Sequence, residues 1–219
     1  MRAMSGRAAL LSTCCFAASA LALMVAGFVA WDQPVLEAVR GGAGRSWKDT
    51  ARALSFYGDF PWLFGGGIIA LWLSLRLRRR EWARVVTAML LAGVLAGMVS
   101  NVMKLGTGRV RPRVEDVQHG WYGPRHEGQW VTLQHKFQGF PSSHAACAFG
   151  FFYPLFLSRR GWGAAGLLAA AAIAWSRVQL NAHHISDVAA GALLGFVAGW
   201  LVWRWIVERG GLERWLGEK

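Results

Sequence analysis

Residues 176–187 read Ser-Arg-Val-Gln-Leu-Asn-Ala-His-His-Ile-Ser-Asp and lie between two strongly apolar runs, 161–175 and 188–203. Polar and ionisable side chains at the end of a membrane span are expensive, so they mark functional positions. Arg177 offers a planar fork for an anion, His183 or His184 a nucleophile or base, and Asp187 a carboxylate to orient a ring. A carboxylate bonded to one ring nitrogen fixes the tautomer and makes the other nitrogen the better nucleophile. His183 and Asp187 are four apart, one face of a helix. Spacing alone leaves His184 as an equal partner for Asp187.

Two further groups carry matching chemistry. Lys104 is followed, after six residues that include a Gly106-Thr107-Gly108 turn, by Arg111-Pro112. Arginine presents a fork to a phosphate and lysine a point charge. Phe140-Pro141-Ser142-Ser143-His144 opens a later apolar run. Proline suits a first helical turn, which would leave the backbone N–H groups of Ser142, Ser143 and His144 free and aimed outward. A helix N-terminus with two hydroxyls is a ready anion site, and His144 beside it can donate a proton to a leaving oxygen. Together the three groups supply cations, backbone donors, an in-line nucleophile and a general acid, a set sufficient for phosphoryl transfer without a metal or other cofactor.

These groups lie far apart in sequence, and the elements that must bring them together are membrane helices. The chain has 219 residues, 54% hydrophobic and 16% charged, with its apolar residues in long runs. That pattern predicts an all-α polytopic membrane protein forming one domain over 1–219. Six spans are expected, at about 8–30, 61–75, 85–103, 141–157, 161–180 and 186–205. The first run exceeds an ordinary signal-peptide core and is expected to remain as an uncleaved span, although Ala18-Ser19-Ala20 resembles a cleavage site. Residues 31–59 mix Pro34, Leu36, Val39, Trp47, Leu54 and Phe56 with charges and read as an amphipathic segment on the outer surface. Asp59-Phe60-Pro61 then starts the second span, and a mixed-charge amphipathic tail follows Trp205. The fifth apolar run is shorter than the ~20 residues a span needs, so its helix should continue to about Leu180. That sinks Arg177 below the apolar boundary, at about 2.5–3.5 kcal/mol for a lone arginine, and predicts an anionic group to meet it.

The basic turns Arg76–Arg84 and Ser158–Arg160 obey the positive-inside rule if both are cytoplasmic, with both termini. The 104–140 loop and the 176–187 stretch then share the outer face of an inner membrane. The formal net charge of +12 would suggest nucleic acid in a soluble protein, but here the basic residues divide between the two sides of the membrane. Cys14, Cys15 and Cys147 lie in apolar runs and read as small buried hydrophobes. His119, His126 and His135, with Asp116 and Glu127, fit no metal-ligand spacing and read as solvated loop residues.

The sequence resembles the type 2 phosphatidic acid phosphatase superfamily of lipid phosphate phosphatases. Its three-part signature appears in order as Lys104, Arg111 and Pro112; as Pro141, Ser142, Ser143 and His144; and as Ser176, Arg177, His183 and Asp187. The resemblance implies that His183 attacks phosphorus, Asp187 orients it, and His144 protonates the leaving lipid oxygen. It implies that Lys104, Arg111, Ser142, Ser143 and Arg177 hold the phosphate, and it selects His183 over His184. Ser143 stands where the family has glycine; it is expected to be an ordinary first-turn helical residue. The implied partners are a phosphorylated lipid and the membrane. Transfer of the phosphate to a lipid hydroxyl instead of water, or lipid binding without chemistry, are the other function classes.

Overall fold

The computed structural model describes residues 4–42 and 45–209. Each apolar run forms a helix. Helix α1 (Gly6–Ala26) passes through a π-helical turn (Gly27–Trp31) directly into α2 (Asp32–Gly42). Helix α3 (Arg45–Tyr57) meets α4 (Phe60–Arg76) at a bend of 51°. Asp59 caps α4 by accepting the Phe60 N–H at 2.8 Å, and Pro61 occupies the first turn, where an N–H is not needed. Helices α5 (Arg80–Thr107), α6 (Ser143–Ser158), α7 (Arg160–Gln179) and α8 (Ile185–Trp203) complete the bundle. Between α5 and α6 the polar segment folds on a small apolar centre of Val110, Val131 and Phe137. It includes a short antiparallel hairpin of β1 (Arg125–His126) and β2 (Gln129–Trp130).

Helix α6 sits at the middle, against α5, α7 and α8, while α1 packs on α8. Phe16, Tyr153, Phe156 and Phe196 form an aromatic core, and the Tyr153 hydroxyl is satisfied by Thr13 at 2.8 Å. Helices in lipid gain little from hydrophobic association, so close approach through small residues holds them together. On α5 the buried positions Ala88, Ala92, Ala96, Ser100 and Lys104 recur every four residues. Helical periodicity alone therefore carries Lys104 inward at the end of an otherwise apolar stripe. At Gly191 a Cβ would lie 2.5 Å from the Ser142 carbonyl, so α8 presses directly on the start of α6.

The helix directions put the basic turns at one end and the polar groups of interest at the other. Arg159, after α6, pairs with Glu81 at the start of α5 at 3.3 Å, and the Met4 N–H donates to Leu157 at 3.0 Å. Lys104, Ser143 and His144 stand at the opposite ends of the same helices.

The chain is an all-α polytopic membrane protein. Among the described residues, three helical stretches are long and apolar enough to cross a membrane: Gly6–Gly42, Arg80–Thr107 and Ile185–Glu208. A fourth is counted if the bent α3–α4 pair is one span. The expectation for 31–59 is corrected in one respect. These residues do form amphipathic helices, but the inward face buries Asp32 and Ser55 along with Leu36, Val39 and Ala51. Asp32 is drawn inside because a buried cation meets it. The mixed-charge tail lies, from residue 210, outside the described residues.

If the α8–α6 contact sets the register of the two helices, Gly191→Val should overpack it and destabilise the protein by about 1–3 kcal/mol. Gly65, whose Cβ would meet nothing within 4 Å, serves as the control. Thermal unfolding in detergent should show a lower midpoint for Gly191→Val and little change for Gly65→Val.

Candidate active site

A cavity of about 380 Å³ opens where the ends of α5 and α7 meet the starts of α4 and α6. Lys104, Arg111, Ser143, His144, Arg177 and His183 all line it. Three stretches separated by tens of residues thus converge.

Lys104 Nζ donates to Ser143 Oγ at 2.6 Å, and that hydroxyl donates in turn to Asn101 Oδ1 at 2.7 Å. Ser143 is the first residue of α6 with ordinary helical backbone, so serine fits there without positive φ. Arg111 Nε donates to the His135 carbonyl at 3.0 Å, but its Nη1 is buried without a partner. Arg177 Nη1 donates to Ser55 Oγ, and its Nε is likewise buried and unpartnered. No protein carboxylate bonds to Arg177 among the described residues; a hydroxyl and the last turn of α7 meet it instead. Buried donors are normally satisfied, so these two guanidinium groups, whose side chains line the cavity, are incompletely paired within the protein. Burial and the neighbouring Arg113 and Arg177 charges pull the Arg111 guanidinium down to about 10. Burial and then the same cationic surroundings push His135 down to about 4.

His183 lies at the base of the cavity, its side chain 2% exposed. Its Nδ1 is 2.6 Å from the Gly139 carbonyl oxygen. A carbonyl only accepts, so Nδ1 carries the proton and Nε2 keeps its lone pair. Burial pushes the imidazole well below its ordinary value, which favours the neutral ring. Gly139 reaches this position because its own N–H donates to the Arg109 carbonyl at 2.8 Å. A Cβ there would lie 2.7 Å from the same oxygen.

Two expectations change here. Asp187 does not make the direct hydrogen bond expected with His183: Oδ2 is 3.6 Å from Nδ1. As the third residue of α8 it closes a capping box, accepting the His184 backbone N–H at 2.7 Å, and its other oxygen takes Arg109. Its charge still faces the His183 ring from behind. Ser142 does not offer a free N–H to the cavity: that group donates to the Asp187 carbonyl at 3.0 Å, and its hydroxyl caps α6 through Ala145. The cause is the close α8–α6 contact. His184 is buried with its ring toward His119 and does not line the cavity, so position separates the two histidines where spacing could not.

Four residues at or behind the cavity, Arg109, Asp32, Gly139 and Asp59, belong to no motif in the sequence. Arg109 donates to Asp187, to Asp32 at 2.6 Å and to Ser186 Oγ at 2.7 Å, with Phe28 and Trp121 rings 5.0 Å from its guanidinium carbon. Asp32 also accepts from Ser186 N at 3.0 Å and Oγ at 2.5 Å. A signal existed for Asp32: it shares a helical face with Leu36 and Val39, and a carboxylate on an inward face requires a cation. Nothing local distinguishes Arg109 or the Gly139 carbonyl. Asp59 lines the cavity, its Oδ1 3.3 Å from His144 Nε2. In the polar loop, Asp116 pairs with Lys136 at 2.9 Å and His126 packs on Tyr122.

Residues 82–210 match the family model of the PAP2 superfamily. No curated protein matches the chain. Among solved structures, LpxE of Aquifex aeolicus is similar at 21% identity and a TM-score of 0.59, covering 79% of this chain and 94% of its own. The first transmembrane PAP2-type phosphatidylglycerolphosphate phosphatase from Bacillus subtilis is similar at 19% identity and a TM-score of 0.60, covering 95% and 96%.

Arg109→Met should strand two buried carboxylates and cost about 3–5 kcal/mol, the scale for breaking a buried ion pair. Adding Asp32→Asn removes one of those charges, so the double variant should recover part of the loss. Thermal or denaturant unfolding of the four proteins of that cycle measures the coupling.

Proposed function

Because this chain belongs to the PAP2 superfamily, we propose that its cavity hydrolyses a phosphate monoester or diphosphate of a membrane lipid through a phosphohistidine on His183. One observation carries this reading. The unpartnered guanidinium donors of Arg111 and Arg177 and the free ring nitrogen of His183 belong to side chains that line one cavity.

In this reading the phosphoryl oxygens bind to Arg111, Arg177 and Lys104. Ser143 supports Lys104, and the first-turn N–H groups of Ser143 and His144 add donors. His183 Nε2 attacks phosphorus while the bond from phosphorus to the lipid oxygen breaks. His144, nearer the mouth with its side chain 20% exposed, gives its proton to that oxygen. Water then attacks the phosphohistidine, His144 takes the water's proton, and inorganic phosphate leaves with His183 restored. A deep nucleophile and an acid near the mouth suit in-line displacement. Ser142 acts through the cap of α6, and Asp187 through its charge and its hold on the start of α8. Phe60, Val94 and Met98 form an apolar side of the same cavity, which suits a lipid rather than a soluble phosphate. The phosphatidylglycerolphosphate phosphatase among the structural neighbours acts on a substrate of that class.

We place all six apolar runs across an inner membrane as one domain, with both termini in the cytoplasm and the cavity at the outer leaflet. The basic turns gathered at the end opposite the cavity support this orientation.

The purified protein should release phosphate from a lipid phosphate in the presence of EDTA, and His183→Ala should reduce release to background. Rapid quenching with labelled substrate should trap protein-bound phosphate that is acid-labile and base-stable in the wild type and absent from His183→Ala. Full activity in that variant would reject the mechanism.

A further inference from the structure

We propose that Asp59 is a positioning residue for leaving-group chemistry: its carboxylate holds the His144 ring in the orientation from which it protonates the lipid oxygen. This rests on the reading of His144 as the general acid.

Three cations face His144: Lys104 from α5, Arg111 from the polar loop and Arg177 from α7, with Cys147 one turn further along α6. All three oppose a protonated imidazole. Among the described residues lining the cavity, Asp59 is the one carboxylate, and it stands 3.3 Å from His144 Nε2. Its side chain is 49% exposed and that of His144 20%, against 2% for His183. The pair thus lies toward the mouth, where the leaving group departs, and away from the deep nucleophile. A carboxylate repels a phosphate, so this position suits assistance to the acid better than substrate binding.

The aim of Asp59 is set by the fold. It caps α4 through Phe60, and Gly58 before it packs so tightly on α7 that a Cβ would lie 2.4 Å from Ile173 Cγ1. Ser55, on the same bend, accepts from Arg177. Phe56, Tyr57 and Trp62 pack pairwise at 5.2–5.5 Å between ring centroids and are largely exposed, as aromatic side chains are at a membrane interface. The α3–α4 bend therefore presents a fixed carboxylate at the mouth of the cavity.

In the protonated ring, Nε2–H is held by Asp59 and Nδ1–H goes to the lipid oxygen as the bond to phosphorus breaks. A neutral ring remains on the carboxylate, and Nδ1 then takes the proton of the attacking water.

Asparagine caps a helix as well as aspartate, so Asp59→Asn removes the charge with little effect on the bend. The test compares kcat/KM for an alkyl phosphate, whose leaving oxygen needs a proton, with that for p-nitrophenyl phosphate, whose leaving group does not. Asp59→Asn should slow the alkyl ester about 10- to 100-fold, within the range a general acid supplies, and leave the aryl ester nearly unchanged. The alkaline limb of the alkyl-ester pH profile should move to lower pH, because the ring loses the charge that favours its protonated form. Equal loss on both esters, or no loss on either, overturns the proposal. His144→Ala separates the two readings. If it discriminates between the esters and Asp59→Asn does not, only the role of Asp59 fails; if His144→Ala does not discriminate, the general-acid reading fails and this one with it.

Discussion

A guanidinium shared by two buried carboxylates holds the site together. Arg109 bonds to Asp32 at the start of α2 and to Asp187 at the start of α8, and it comes from the loop that follows α5. Charges removed from water are tolerated only when paired with good geometry and further hydrogen bonds, and Ser186 together with the Phe28 and Trp121 rings meets that condition. The Arg109 carbonyl extends the same constraint by taking the N–H of Gly139, whose own carbonyl fixes the tautomer of His183. One residue thus determines where the first turn of α8 lies and which ring nitrogen of His183 is free.

Arg111 and Arg177 differ from Arg109 in this respect. Each is anchored by one contact, Arg111 to the His135 carbonyl and Arg177 to Ser55, and each keeps a buried donor without a partner. The fold holds these charges near one another, against their mutual repulsion, through helix ends and a loop with its own apolar centre. Such preorganised donors stabilise developing charge without rearranging at the moment of reaction. The proposed chemistry depends on this contrast between a satisfied cation behind the nucleophile and incompletely satisfied ones in front of it.

The two histidines of the proposed mechanism differ in the same way. His183 is enclosed and neutral, bonded to a carbonyl that can only accept. His144 sits in the first turn of α6, partly exposed and next to a carboxylate. In the proposed mechanism the enclosed ring is the nucleophile and the ring nearer the mouth is the acid, so depth along the cavity matches each role to its position.

Much of this was legible in the residues themselves. Hydropathy marked the apolar runs that form α1 and α4 to α8, because a helix in lipid must satisfy its own backbone and present an apolar surface, whereas 31–59 read only as an amphipathic segment. The extension of α7 to Gln179 followed from the length a span requires. Residue type and position at the ends of apolar runs marked Lys104, Arg111, Ser143, His144 and Arg177, which line the cavity, but the choice of His183 over His184 came from the family resemblance and not from spacing. The hydrogen bonds of Asp187 and Ser142, and the presence of Arg109, Asp32, Gly139 and Asp59, were not legible. Each depends on a contact between segments remote in the chain: Asp187 with Arg109, Ser142 with Asp187, Gly139 with His183, Asp59 with His144. Local periodicity constrains residues a few positions apart. Which carboxylate meets which cation is decided by how closely α8 can approach α6 and how sharply α3 turns into α4, and those distances exist only once the helices have packed.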